Sequence, residues 1–223
     1  VPGYPADCQA SQVVADFDGD GQHDAATIAK SRCFHHPGQQ PSFATEFNMA
    51  VSWGGGAGGV VAMEDCERAC VAFRAADLNG DGAAELWVIV DEDASSQTLE
   101  VFALPQSEAF GRAATVAEPG ANGFPAGQSA GFRFGGSVKH YAALGCTAAE
   151  SEVIAESADA TGNEGGYTVR RTVLRFDPID TRPFAHFTVV STSDEVVHLE
   201  PGVLPGDAFE PGDPCWIEPA PGG

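Results

Sequence analysis

Two stretches of this chain repeat one pattern of acids and glycines. Asp16-Phe17-Asp18-Gly19-Asp20-Gly21-Gln22-His23-Asp24 reads D-x-D-G-D-G-x-x-D. Asp77-Leu78-Asn79-Gly80-Asp81-Gly82-Ala83-Ala84-Glu85 reads D-x-N-G-D-G-x-x-E. Oxygen-bearing side chains occupy positions 1, 3, 5 and 9 of each, with glycines at positions 4 and 6. A hard cation such as Ca²⁺ takes about six to eight oxygen ligands, and a tightly curled acidic loop supplies them. Glycine reaches positive φ without steric cost, so the chain can wrap around such an ion. At position 7 the ligand would be a backbone carbonyl, from Gln22 and Ala83, so that side chain is free to vary. The expected metal ligands are therefore Asp16, Asp18, Asp20, Gln22 and Asp24 in one loop, and Asp77, Asn79, Asp81, Ala83 and Glu85 in the other. Two Ca²⁺ sites are expected.

These loops differ from EF-hands, which place a bidentate Glu at position 12 within a helix. Position 12 here is Thr27 in the first loop and Val88 in the second. The residues that follow, Ala25-Ala26-Thr27-Ile28-Ala29 and Leu86-Trp87-Val88-Ile89-Val90, are short, apolar and partly β-branched, which predicts buried strands. Each loop reads as a metal-tied turn that leads into a sheet, with the acid at position 9 closing the shell.

Val14-Ala15 before the first loop and Ala75-Ala76 before the second complete a pattern that resembles FG-GAP/VCBS repeats. The resemblance covers roughly residues 12–104. It implies the blades of an integrin-like β-propeller, with Ca²⁺ held between two strands of a blade. It also implies an extracellular protein that serves binding, adhesion or scaffolding, with a protein or glycan ligand at the cell surface, rather than an enzyme. Asp16 and Asp77 lie 61 residues apart, a plausible repeat length for four-stranded blades with long loops. Aligning Glu152-Val153-Ile154 on Glu85-Leu86-Trp87 suggests a third repeat without metal ligands, its turn held by a disulfide at Cys146. The expected fold is all-β, with about three propeller-like repeats over residues 12–70, 71–135 and 136–199. A Pro/Gly-rich tail, 200–223, follows. Closed propellers usually have about four to eight blades, so a partial, open or compact propeller is expected. Unclosed sheet edges would favour self-association. A fibre or surface-layer subunit, and a secreted hydrolase or its carbohydrate-binding accessory domain, stand as alternatives.

Strands are further predicted at Phe47 to Trp53, Thr98 to Leu104, Tyr167 to Phe176 and Phe184 to Val190. The best helical candidate is Ala62 to Phe73. Six cysteines suggest three disulfides and an oxidising compartment, secreted, extracellular or periplasmic. The expected pairs are Cys8–Cys33, Cys66–Cys70 and Cys146–Cys215, the last tying the tail to the third repeat. A start at Val1 is consistent with a removed targeting peptide, although a chain cut at that point for any other reason would look the same. No run approaches the roughly 20 apolar residues of a membrane span. A net charge of −21 argues against direct binding to nucleic acid or an anionic membrane.

Catalytic readings are weaker. Gly127-Gln128-Ser129-Ala130-Gly131 matches G-x-S-x-G, but the nucleophile elbow needs a strand before it and a helix after it. Here it lies in a Gly-rich stretch and reads as a loop. His35 and His36 read as solvated. Glu150, Glu152, Glu156 and Asp159 read as acidic surface rather than an acid–base pair. Trp53, Trp87 and Trp216 invite a sugar-stacking role, with core packing or tail docking the default.

Overall fold

A computed structural model describes residues 4–34, 46–56, 58–64, 66, 69–104, 114–115, 131–137, 139–146, 152–162, 165–177, 186–200 and 203. Among them the chain is all-β, with two short 3₁₀ turns and no α-helix. Strands β1 (Ser11–Ala15), β2 (Asp24–Lys30), β3 (Phe47–Ser52) and β4 (Gly58–Ala62) form a four-stranded antiparallel meander in chain order. The second sheet contains β5 (Val71–Ala76), β6 (Glu85–Glu92), β7 (Ser96–Ala103), β8 (Ala114–Thr115), β9 (Phe132–Ser137), β10 (His140–Cys146), β11 (Glu152–Ala160), β12 (Gly166–Asp177) and β13 (His186–His198). It runs β5-β6-β7-β9-β10-β11-β12-β13, with β8 paired to β7. Every pairing is antiparallel, and neither sheet closes on itself.

The apolar runs after the two acidic loops become β2 and β6. Strand β6 is buried on both faces. Leu86, Val88 and Val90 pack with Ile28, Met49 and Val51 of the first sheet. Trp87 and Ile89 point the other way, joining Leu99, Val101, Phe132, Leu144, Val153, Leu174 and Phe187. The second sheet must therefore fold over, because β6 and β7 share a core with β10–β13 of the same sheet. Strand β9 makes the bend. Its first half pairs with β7, from Leu99↔Phe132 to Ser96↔Gly135, and its second half with β10, from Ala142↔Gly135 to His140↔Ser137. Gly136 has φ 148°, and a Cβ there would lie 2.2 Å from the His140 carbonyl oxygen. Only glycine fits where two backbones approach so closely. The segments assigned to the second and third repeats thus share one sheet.

The predicted strands fall in β3, β7, β12 and β13, though residues 184–185 lie outside the described set. The helical candidate does not form a helix. Ala62 ends β4, and Val71-Ala72-Phe73 open β5, paired to β6. Isolated helices shorter than about 12 residues are marginal, and sheet pairing with burial of Ala72 wins here. Trp53 is buried in the first core and Trp87 in the second, which disfavours sugar stacking at either; Trp216 lies outside the described residues. Two expected disulfides are present. Cys8–Cys33 spans Cα atoms 5.9 Å apart and brackets β1 and β2, and Cys66–Cys70 spans 5.4 Å. Cys146 is also disulfide-bonded; its expected partner, Cys215, and nearly all of the tail lie outside the described residues. Among the described residues no helix is long and apolar enough to cross a membrane.

The two-sided burial of β6 has a direct consequence. Leu86 and Trp87 are adjacent, point to opposite faces and are both 0% exposed. Leu86→Ala should cost about 2–5 kcal/mol and Trp87→Ala about 3–5 kcal/mol, measured by urea denaturation. If either cost falls within about 0.5 kcal/mol, as for a surface substitution, β6 is covered on one face only.

Candidate functional site

The two acidic loops join β1 to β2 and β5 to β6, and they repeat one hydrogen-bond plan. In the first, Asp16 accepts from the backbone N–H of Gly19 at 2.8 Å, Asp20 at 3.1 Å and Gly21 at 2.8 Å. In the second, Asp77 accepts from Gly80 at 2.7 Å and Gly82 at 2.9 Å. The acid at position 5 turns back in the same way: Asp20 accepts from Gln22 N–H at 2.7 Å, and Asp81 from Ala83 N–H at 2.8 Å. Gly19, Gly21, Gly80 and Gly82 all have φ between 73° and 92°, which a residue with a Cβ adopts only at a cost.

The position-9 acids are buried. Asp24 is 1% exposed and Glu85 3%. Each accepts the N–H of the position-2 residue, Phe17 at 2.8 Å and Leu78 at 2.7 Å. Those residues are apolar plugs, Phe17 packed in the first core and Leu78 in the second. Asp24 also accepts from Gly54 N–H at 2.8 Å, which anchors the turn between β3 and β4 to the loop.

The expected ligands converge unequally. Ligand atoms of Asp16, Asp18 and Asp24 lie within 4.8 Å of one another. Among the described residues this is where three acidic, His or Cys side chains gather so closely. Asp18 Oδ2 is buried and has no hydrogen-bond partner. Burial, joined by repulsion from Asp24, Asp20 and Asp16, pushes the Asp18 carboxyl above its usual range. Asp20 is exposed and hydrogen-bonded to the Gln22 side-chain amide at 3.0 Å. In the second loop Asn79 replaces the middle acid and donates to Asp81 at 2.9 Å. Asp77, Asp81 and Glu85 do not close to the spacing of the first loop. Burial, with repulsion from Asp81 and Asp77, pushes the Glu85 carboxyl from 4.5 to about 8.

The loops also touch each other. Ala84 N–H donates to the Asp16 carbonyl at 2.7 Å, and a Cβ on Gly19 would sit 3.6 Å from that of Ala83. The repeated motif carries no signal for this docking, nor for the Gly54 contact. The apolar residue at position 2 of each loop is the one visible sign of the plug.

Elsewhere, Ser129, His35, His36 and Glu150 lie outside the described residues. Asp159 bonds His140 Nδ1 at 2.6 Å. Glu156 belongs to the opposite face of β11, near Arg171 and Glu195. Glu156 and Asp159 therefore do not face each other. In comparisons with known proteins, no family model, curated protein or solved structure matches this chain.

The buried Glu85 carboxyl sets a test on the free protein. Its folded pKa lies above the unfolded value, so its contribution to stability is present below about 4.5 and lost as pH rises through about 8. Glu85→Gln keeps an acceptor for Leu78 N–H and removes the carboxyl that must take up a proton on folding at pH 7. In EDTA at pH 7 it should be more stable than the parent by about 1–3 kcal/mol, with the gap narrowing toward pH 4.5. Glu85→Ala, which leaves the N–H unpaired, should be less stable. Equal losses in both variants by thermal melt would mean that burying the carboxyl is no burden.

Proposed function

We propose that this chain is a Ca²⁺-binding β-repeat domain of FG-GAP/VCBS type, with a binding, adhesion or structural role outside the cytoplasm. The observation that carries the reading is the first loop. Three carboxylates gather within 4.8 Å there, and one oxygen, Asp18 Oδ2, is buried with no donor to meet it. A buried carboxylate oxygen without a partner is costly, and a hard cation removes that cost while offsetting the mutual repulsion of the acids. An all-oxygen donor set suits Ca²⁺ rather than a soft metal. Asp16, Asp18, Asp20 and Asp24 would hold the ion, with the Gln22 carbonyl. Asp77, Asn79, Asp81 and Glu85 with the Ala83 carbonyl would hold a second, and a cation there would offset the repulsion of Asp77 and Asp81 and favour the ionised Glu85 carboxylate.

The role of the ion on this reading is structural. It ties β1 to β2 and β5 to β6 at the point where the two sheets meet. The FG-GAP/VCBS reading is supported by the shared plan of the loops, each joining the edge strand of a meander to the strand beside it. The disulfides favour an oxidising compartment. At ~1 mM Ca²⁺ and a site Kd of ~10 μM, binding adds about 2.7 kcal/mol per site, a sizeable part of the roughly 5–15 kcal/mol typical of a folded domain.

Melts in EDTA and in ~1 mM CaCl₂, a concentration well above sensor-type Kd values, should differ by several degrees, with no equal shift in MgCl₂. Asp18→Asn should melt no lower than the parent in EDTA, because the unpartnered charge is gone, and should lose part of the Ca²⁺-dependent rise. A parent that melts identically in both buffers removes the main support for the reading.

A further inference from the structure

Strands β1 and β5 are the edge strands of their sheets, and they run beside each other without ladder pairing. Ala72 N–H reaches across to Ser11 Oγ at 2.8 Å. Between them lies a groove of about 590 Å³, within the size range of small-ligand sites. Its walls are largely aliphatic and aromatic, with Val13, Val14, Phe73, Ala75 and Ala84 among them. Val14 is 57% exposed at the groove.

One guanidinium, Arg74, lines this groove, together with the His23 imidazole. The β5–β6 register slips at Phe73, between Ala72↔Val88 and Arg74↔Trp87. Phe73 and Arg74 both line the groove. The Arg74 guanidinium carbon lies 5.6 Å from the centre of the Phe73 ring. Arg74 Nε is buried and has no hydrogen-bond partner. In a chain with 32 acidic and 11 basic residues, Arg74 has no carboxylate within salt-bridge distance among the described residues. A guanidinium fork is shaped for a carboxylate, and a buried N–H donor left unmet is costly.

We propose that the β1–β5 groove binds a small organic acid, its carboxylate on Arg74 and its apolar body along Val14, Phe73 and Ala75. Arg74 alone supplies the partner for the anion, and the aliphatic walls select the body. Asp16 and Asp77 also border the groove. Their charge opposes an anion wherever no cation sits in the loops, so binding should be tighter in CaCl₂ than in EDTA.

The test is calorimetric titration of the full chain with sodium octanoate, in CaCl₂ and in EDTA, with octanamide as the uncharged control. The parent should bind octanoate at least about tenfold more tightly than octanamide, the scale of a charge-assisted hydrogen bond. Arg74→Met should weaken octanoate binding by a similar factor. Val14→Asp, at an exposed position that leaves Arg74 in place, should also weaken it and serves if Arg74→Met does not fold. Unchanged octanoate binding in the folded variants overturns the proposal. So does a parent that fails to bind in either buffer below about 10 mM. The CaCl₂-dependent rise in melting temperature of the same samples is read separately, so loss of one result leaves the other standing.

Discussion

The architecture depends on two carboxylates buried where strands begin. Asp24 and Glu85 open β2 and β6, and each turns its side chain back onto the N–H two residues into the preceding loop. That contact shuts the loop and draws Phe17 or Leu78 into a core. Burying a carboxyl has a cost, so its recurrence at equivalent places needs a local reason. The loop geometry supplies part of one. The first acid of each loop already absorbs the glycine N–H groups, which leaves the terminal acid to satisfy the N–H beneath it.

Everything outward from the loops is arranged in layers around β6 and β7. The first sheet covers one side of them, and the remainder of their own sheet folds over the other. This makes the chain thicker than a two-layer sandwich and explains why β6 has no polar alternation. The bend is localised at Gly135 and Gly136, where β9 exchanges β7 for β10 as its partner. A sheet that folds over at one strand can bury both faces of its first strands without closing into a barrel. It leaves β1 and β5 as edges beside each other, and the groove is the space between them.

How much of this was legible follows from how local each feature is. The acidic loops and the strands after them could be read directly, because their spacing and β-branched content act over a few residues. The Cys8–Cys33 and Cys66–Cys70 pairs were also within reach, since each closes a short stretch of chain. The helix expected over Ala62 to Phe73 failed because both of its ends are drawn into ladders, Ala62 beside Asn48 and Val71-Ala72 beside Ile89 and Val88, and a ladder is a long-range contact. The joining of β7 to β10 through β9 was hidden for the same reason. Phe132-Arg133-Phe134-Gly135-Gly136-Ser137 looks like loop until its two partners are known. Arg74 carried no signal at all, because its isolation depends on which acids the fold places near it. The inequality of the two loops was partly visible in Asn79, whose amide spends itself on Asp81.

The contact between the loops joins the acidic site to the groove. Ala84 N–H bonds the Asp16 carbonyl, so the backbone of the first loop holds the start of β6 in place. Asp16 and Asp77 stand at once in the loops and on the wall of the groove. Whatever orders the first loop therefore also sets the separation of β1 and β5 at that end, and whatever neutralises its acids raises the potential felt at Arg74. The coupling runs through that backbone contact and through the charge of Asp16 and Asp77 on the groove wall.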